Sequence, residues 1–371
     1  MIHLVPVIER TPVPVPATTV PARPVVVVFG LGGTIAMTAG QVGGVVPALS
    51  AEQLVGAVPG LADAGITVEV EDFRRVPGAS LTFDDLCALS EAIGQRLADG
   101  VDGVVITQGT DTIEETAYLL DLAHPGQQPV VVTGAMRNPT LAGADGPANL
   151  LAAVQVAASP QARGLGTLVV FADEIHAASR VRKTHSTSGF TFHSPNGGPL
   201  GYVVEGRVRV LNRLAHHTTI PPPAGSRSVE VGLVTLVLGD TGVLLDGLGD
   251  RLDGLVVAGF GVGHVPGCVV GKLEELACRM PVVLASRTGA GSVLAATYAF
   301  PGSESDLLGR GLISAGFLDP LKARILLHQL LASGHHQTAI RAVCGVAGGY
   351  TDPEESPAST DVTVTQGAAR A

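Results

Sequence analysis

Short apolar runs, each ending in a glycine or threonine turn and followed by an amphipathic stretch, recur along the first half of the chain. They are VVVVFGLGG from Val25, GVVITQGT from Gly103, PVVVTGAM from Pro129 and TLVVFADE from Thr167. Runs of this length, separated by helical patterns, predict β-α units joined into a parallel sheet. The stretch IEETAYLLDLAH after the second run puts Ile113, Ala117 and Leu120 on one helical face. The theme returns in VGLVTLVL, DGLVVAGFG and PVVLASRTG, with fewer reactive side chains in the turns. No fixed period of 20 to 50 residues emerges, which sets solenoids aside.

Between the two sets, NRLAHHTTIPPPAGSRS (Asn212 to Ser228) carries three consecutive prolines that no helix or central strand can cross. The expected organisation is therefore an α/β chain of two domains. A flexible extension (1–22), rich in Pro, Val and Thr, precedes a larger parallel-sheet domain (23–211). A linker (212–228), a smaller α/β domain (229–345) and a flexible tail (346–371) follow.

Composition supports this picture. Of 371 residues, 46% are hydrophobic, Gly reaches 48 and Trp is absent, a mix suited to buried parallel strands and tight turns. A formal net charge of -10 with only 23 Lys plus Arg leaves no basic surface for nucleic acid or an anionic membrane, and favours a small soluble ligand. The cysteines Cys87, Cys268, Cys278 and Cys344 match neither a disulfide framework nor a zinc knuckle and read as reduced thiols. Neither a signal-peptide pattern nor an uninterrupted apolar stretch of 18 residues is present, so the expected location is cytoplasmic.

In open parallel sheets, ligands bind beyond the carboxyl ends of the strands, so the turns after the apolar runs are where chemistry is expected. Gly30 to Ala36 (GLGGTIA) lets backbone N–H groups approach a ligand and projects the Thr34 hydroxyl; Ile35 breaks a dinucleotide fingerprint. Thr107 to Thr112 (TQGTDT) opens a helix. Thr110 or Asp111 could simply cap it, with Glu114 or Glu115 completing a capping box. Yet Thr, Asp and Thr stand together there, and a helix N-terminus favours an anionic substrate group. The segment Ser179 to Thr187 (SRVRKTHST) is an exposed basic loop on one reading. On the other, a partly buried Lys183 has its ammonium disfavoured by desolvation and serves as a general base. His176, His185 and His193 share no helical face, so a metal site is not expected.

GLGGTIAMT, ITQGTDTIEETAYLLDL with VVVTGAMR-(x)7-DGPANL, and RKTHST with NGGPLGY closely resemble the bacterial-type L-asparaginases, from about Val25 to Ala342. The resemblance implies a larger N-terminal and a smaller C-terminal α/β domain, no metal or other cofactor, and a homotetramer built from dimers. It implies hydrolysis of L-asparagine to aspartate and ammonia through a threonine acyl-enzyme. Carried over, Thr34 matches the threonine usually assigned as nucleophile, while Thr110, Asp111 and Lys183 match the second hydroxyl, the orienting carboxylate and the base. Gly33, Ser80 and Ala135 are the corresponding substrate-binding positions. Glu304 aligns with an acidic residue supplied by a neighbouring subunit.

Two departures qualify the match. Met37 to Ser50 (MTAGQVGGVVPALS) lacks the loop tyrosine that many members place against the first threonine, leaving Tyr298 as a candidate from the second domain. Around Ser80 the chain reads PGAS, without the glutamine that often accompanies glutaminase side activity, so asparagine is the expected preference. The competing readings are a glutaminase or amidotransferase subunit, an autoprocessing threonine amidohydrolase and a silent binding or regulatory homologue.

Overall fold

The computed structural model describes residues 23–39, 45–47, 49–221, 228–351 and 363–366. The expected N-terminal extension lies outside the described residues, as do parts of the linker and tail.

The N-terminal sheet has eight strands. Across the sheet they run Arg207–Val210, Gly201–Val204, Glu174–Ala177, Thr167–Phe171, Val130–Thr133, Gly103–Thr107, Val25–Gly30 and Thr67–Asp72. The five strands from Thr167–Phe171 to Thr67–Asp72 are parallel, and four of them are the apolar runs, Thr67–Asp72 (TVEVED) being the addition. The remaining three continue the sheet antiparallel, so the domain is mixed.

The central strands Val25–Gly30, Gly103–Thr107, Val130–Thr133 and Thr167–Phe171 are buried at every position but Val25 because both their faces are covered. Val27, Phe29, Val104, Ile106 and Val132 point into a core shared with the helices Phe83–Ala98 and Ile113–Ala123. Val26, Val28, Val105, Val131 and Val170 point the other way, onto the helix Gly146–Ala157. Each such side chain contributes roughly 1.5–3 kcal/mol on burial.

The C-terminal sheet is four-stranded and parallel, in the order Val231–Thr235, Gly254–Gly259, Val282–Ser286, Ile313–Ser314. The first core runs on into this domain through Val256, Val283, Ile325 and Leu326. The helix Pro320–Ala332 thereby packs against Ile113–Ala123, the helix that follows the Thr110 turn.

Two short strands lie within the expected linker and tail. His216–Thr219 pairs antiparallel with Thr363–Gln366, so part of the expected tail is tied to part of the expected linker. The pair forms a separate two-stranded sheet, its first strand ahead of the prolines. No helix among the described residues is long and apolar enough to cross a membrane.

Candidate active site

Strand register brings the reactive turns together. Gly30 lies beside Thr107, and Thr107 beside Thr133, so the turns that follow leave the sheet side by side. Gly33 has φ +86° and faces Gly109 so closely that a Cβ on it would lie 2.1 Å from the Gly109 nitrogen. Only glycine meets both conditions. The half-buried Thr34 and buried Thr110, each the next residue, are thereby held on adjacent turns.

Lys183 completes the cluster. It lies in the two-residue strand Arg182–Lys183, paired with Phe192–His193, and reaches the start of the helix some seventy residues earlier. Its Nζ donates to Thr110 Oγ1 at 3.0 Å and to Asp111 Oδ1 at 2.8 Å. The lysine side chain is 14% exposed and Asp111 is 67% exposed, so the unit runs from the protein interior to solvent. A hydroxyl, an amine and a carboxylate in series can pass a proton along one line.

The capping role open to Thr110 and Asp111 is not what their side chains do. The helix begins after Thr112, which makes no side-chain cap, and both candidates are spent on Lys183. Glu114, expected in a capping box, turns inward and accepts the backbone N–H of Lys183 at 3.2 Å.

Ser80 stands exposed on the turn Gly78–Ser80, which Thr112 ties to the Thr110 turn by donating to the Gly78 carbonyl at 3.0 Å. Ala135 is fully buried against Ile35 and Ala36, so its methyl supports the Thr34 turn from behind. Its own turn is fixed by two residues to which sequence reasoning gave no role. Asp145 accepts from the N–H groups of Met136 and Arg137, and Asn149 donates to the Gly134 carbonyl. The sequence signal was present, since both lie in DGPANL.

Glu304 is enclosed within its own chain. Its side chain has no exposed surface and its Oε1 accepts the N–H groups of Thr297 and Tyr298, while Oε2 faces His264 at 3.2 Å. Burial alone would raise its carboxyl, but these donors outweigh that and hold it below the usual range. In the single chain this carboxylate braces its own loop. That loop does present Tyr298, 43% exposed and edge-on to His264.

The histidines serve local turns: His176 meets Ser194, His185 accepts from the N–H groups of Thr187 and Ser188, and His193 donates to the Phe190 carbonyl. Among the described residues no group of three metal-binding side chains occurs. A cavity of about 530 Å³ lies between the domains, lined by Arg180, Arg182, Asn196 and Asp319. Neither threonine lines it.

Comparison with known proteins gives the same partition. The family described as "Asparaginase, N-terminal" matches residues 25–216, and "Glutaminase/Asparaginase C-terminal domain" matches 230–343. The chain is 38% identical over 317 residues to the "Probable L-asparaginase" of Deinococcus radiodurans, covering 84% of this chain and 94% of that one. It is 36% identical over 326 residues to L-asparaginase 2 of Escherichia coli, covering 84% and 89%. The crystal structure of a probable cytoplasmic L-asparaginase from Campylobacter jejuni superposes with TM-score 0.77 at 33% identity, covering 87% of this chain and 99% of that one. With both domain families matched and these relatives aligned over most of their length, the chain belongs to the asparaginase family.

Proposed function

We propose that the chain hydrolyses the side-chain amide of L-asparagine, giving L-aspartate and ammonia through an acyl-enzyme on a threonine. Membership of the asparaginase family supplies the reaction class. The observation that carries the residue assignment is the contact of Lys183 Nζ with both Thr110 Oγ1 and Asp111 Oδ1. In the first step a threonine oxygen attacks the amide carbon while its proton passes toward the Lys183–Asp111 pair. The tetrahedral oxyanion collapses, the proton returns to the departing nitrogen, and ammonia leaves. Water then repeats the sequence on the ester. Backbone N–H groups of the glycine turns are the donors suited to the oxyanion, each worth about 3 kcal/mol when well aimed.

Thr110 is the hydroxyl with an amine in place to take its proton, and exposed Asp111 offers that amine a route to solvent. Thr34 has no hydrogen-bond partner among the described residues, so as the attacking group it loses its proton to substrate, water or a neighbouring chain. Assembly of the chain as a homotetramer built from dimers belongs to the same reading. In support, Val237, Leu238, Val243, Leu244, Tyr298 and Phe300 stand exposed on loops following the C-terminal strands, an apolar surface of the kind that marks protein contacts. Four free thiols fit a reducing, cytoplasmic compartment.

The test is ammonia release by the purified chain from L-asparagine and L-glutamine, followed by acid quench and peptide mass mapping of the ester. Turnover of asparagine with the acyl group on the Thr34 or Thr110 peptide is the expected result. No release from either amide would remove the proposal.

A further inference from the structure

Directly beneath the Thr110 unit lies a second polar cluster that the chemistry above does not use. Lys322, in the first turn of the C-terminal helix Pro320–Ala332, has no exposed surface. Its Nζ donates to the Val181 carbonyl at 2.5 Å and to Asp319 Oδ2 at 2.9 Å, and lies 3.5 Å from Glu114 Oε2. Glu114 in turn holds the Lys183 backbone N–H through its other oxygen. The contacts therefore close into a ring. Helix Ile113–Ala123 supplies Glu114, which grips the Lys183 backbone, and the Lys183 side chain returns to Thr110 and Asp111 at the start of the same helix.

This ring bears on aim because Lys183 otherwise has little to fix it. Its strand is two residues long and pairs on one side only. Val181 and Lys183, the residues flanking Arg182, are the two backbone points gripped by Lys322 and Glu114. A free lysine side chain loses rotamer entropy when held in one conformation, so a loose backbone beneath it would broaden the positions of Nζ.

We infer that Lys322 is a positioning residue of the C-terminal domain that, through Glu114 and the Val181 carbonyl, holds Lys183 in line with Thr110. The inference rests on the asparaginase reading of the Thr110 unit. Burial pushes the Glu114 carboxyl up, and Lys322 opposes that rise, so removal of Lys322 leaves a buried acid with one cation fewer.

The test measures kcat and KM for L-asparagine, with thermal midpoints and folded fractions, for wild type, Lys322→Met, Lys322→Met/Glu114→Gln and Thr110→Val. The double variant removes both charges but keeps an amide oxygen for the Lys183 N–H. The expected order of kcat is wild type above the double variant above Lys322→Met. The last should fall about thirtyfold, with KM within about threefold, as a displacement of under about 1 Å at a reacting group allows. Turnover per folded molecule of Lys322→Met within twofold of wild type, or a change confined to KM, overturns the inference. Should Lys322→Met fail to fold, the double variant decides: a kcat about tenfold low at unchanged KM supports it, and wild-type kcat overturns it. An inactive wild type, or full turnover by Thr110→Val, overturns the underlying reading and this inference together. An inactive Thr110→Val beside a fully active Lys322→Met overturns only this inference.

Discussion

Gly33 and Gly109 pack backbone to backbone, at a separation that leaves no room for a single methyl group. This contact joins the Thr34 turn to the Thr110 turn. Gly33→Ala combines a positive φ with a steric overlap and is expected to destabilise the fold by about 3 kcal/mol and lower kcat at least about a hundredfold. Gly94→Ala, in the helix Phe83–Ala98 with nothing within 4 Å of its added methyl, is the control. It should stabilise by up to about 1 kcal/mol and leave turnover unchanged. Chemical denaturation and ammonia release on both variants check the pair, and a wild-type Gly33→Ala would contradict the convergence of the two turns.

Asn149 is nearly completely buried and spans two loops, donating to the Gly134 carbonyl and accepting from the Ala172 N–H, each at 3.0 Å. Asn149→Ala strands both backbone groups and is expected to cost about 2–4 kcal/mol. Because the turn it holds carries Ala135, KM for asparagine should rise along with the loss of stability. A variant with wild-type stability and KM would show that the turn needs no such brace.

The separate two-stranded sheet predicts a pH effect. His217, on the strand His216–Thr219, meets Asp121 of the helix Ile113–Ala123 at 2.9 Å. The carboxylate raises the imidazole to about 8 against partial opposition from burial. Because the folded value exceeds the ordinary 6.5, the pair's contribution is fully present below about pH 6.5 and is lost as pH rises through about 8. It is worth at most about 2 kcal/mol. Thermal midpoints measured from pH 6 to 9 should fall across that window in wild type and fall less in His217→Gln. Parallel curves for the two proteins would show that the pair does not titrate as described.

Leu238, 96% exposed, is the most exposed of the apolar residues proposed for assembly. Leu238→Asp should lower the oligomer mass by light scattering at micromolar concentration, because an ionised side chain cannot be buried there without a partner. An unchanged mass would place the contact elsewhere.

The parallel core was legible because period and apolarity are local properties: Val25–Gly30 and Gly103–Thr107 read as buried strands from their own residues. Thr34, Thr110, Asp111 and Lys183 were legible as types at strand ends, and the resemblance supplied their roles. The antiparallel extension beyond Thr167–Phe171 was not, since Glu174–Ala177 and Gly201–Val204 are short and their direction depends on distant partners. Lys322 was missed for a similar reason, as its meaning lies in a contact across more than two hundred residues of chain. Glu304 was legible as an acidic position but not in its surroundings. Alignment located an acid there, but only the folding of its loop determines that the carboxylate faces inward onto Thr297 and Tyr298.

The account stands on the Lys183–Thr110–Asp111 line acting as one chemical unit. Its most direct test is kcat for L-asparagine in wild type, Thr110→Val and Lys183→Met, each confirmed folded. Both variants should lose at least about a hundredfold, and the double variant should lose little more than either alone, as groups acting together do. Near-normal turnover by Lys183→Met, or losses that multiply in the double variant, would contradict it.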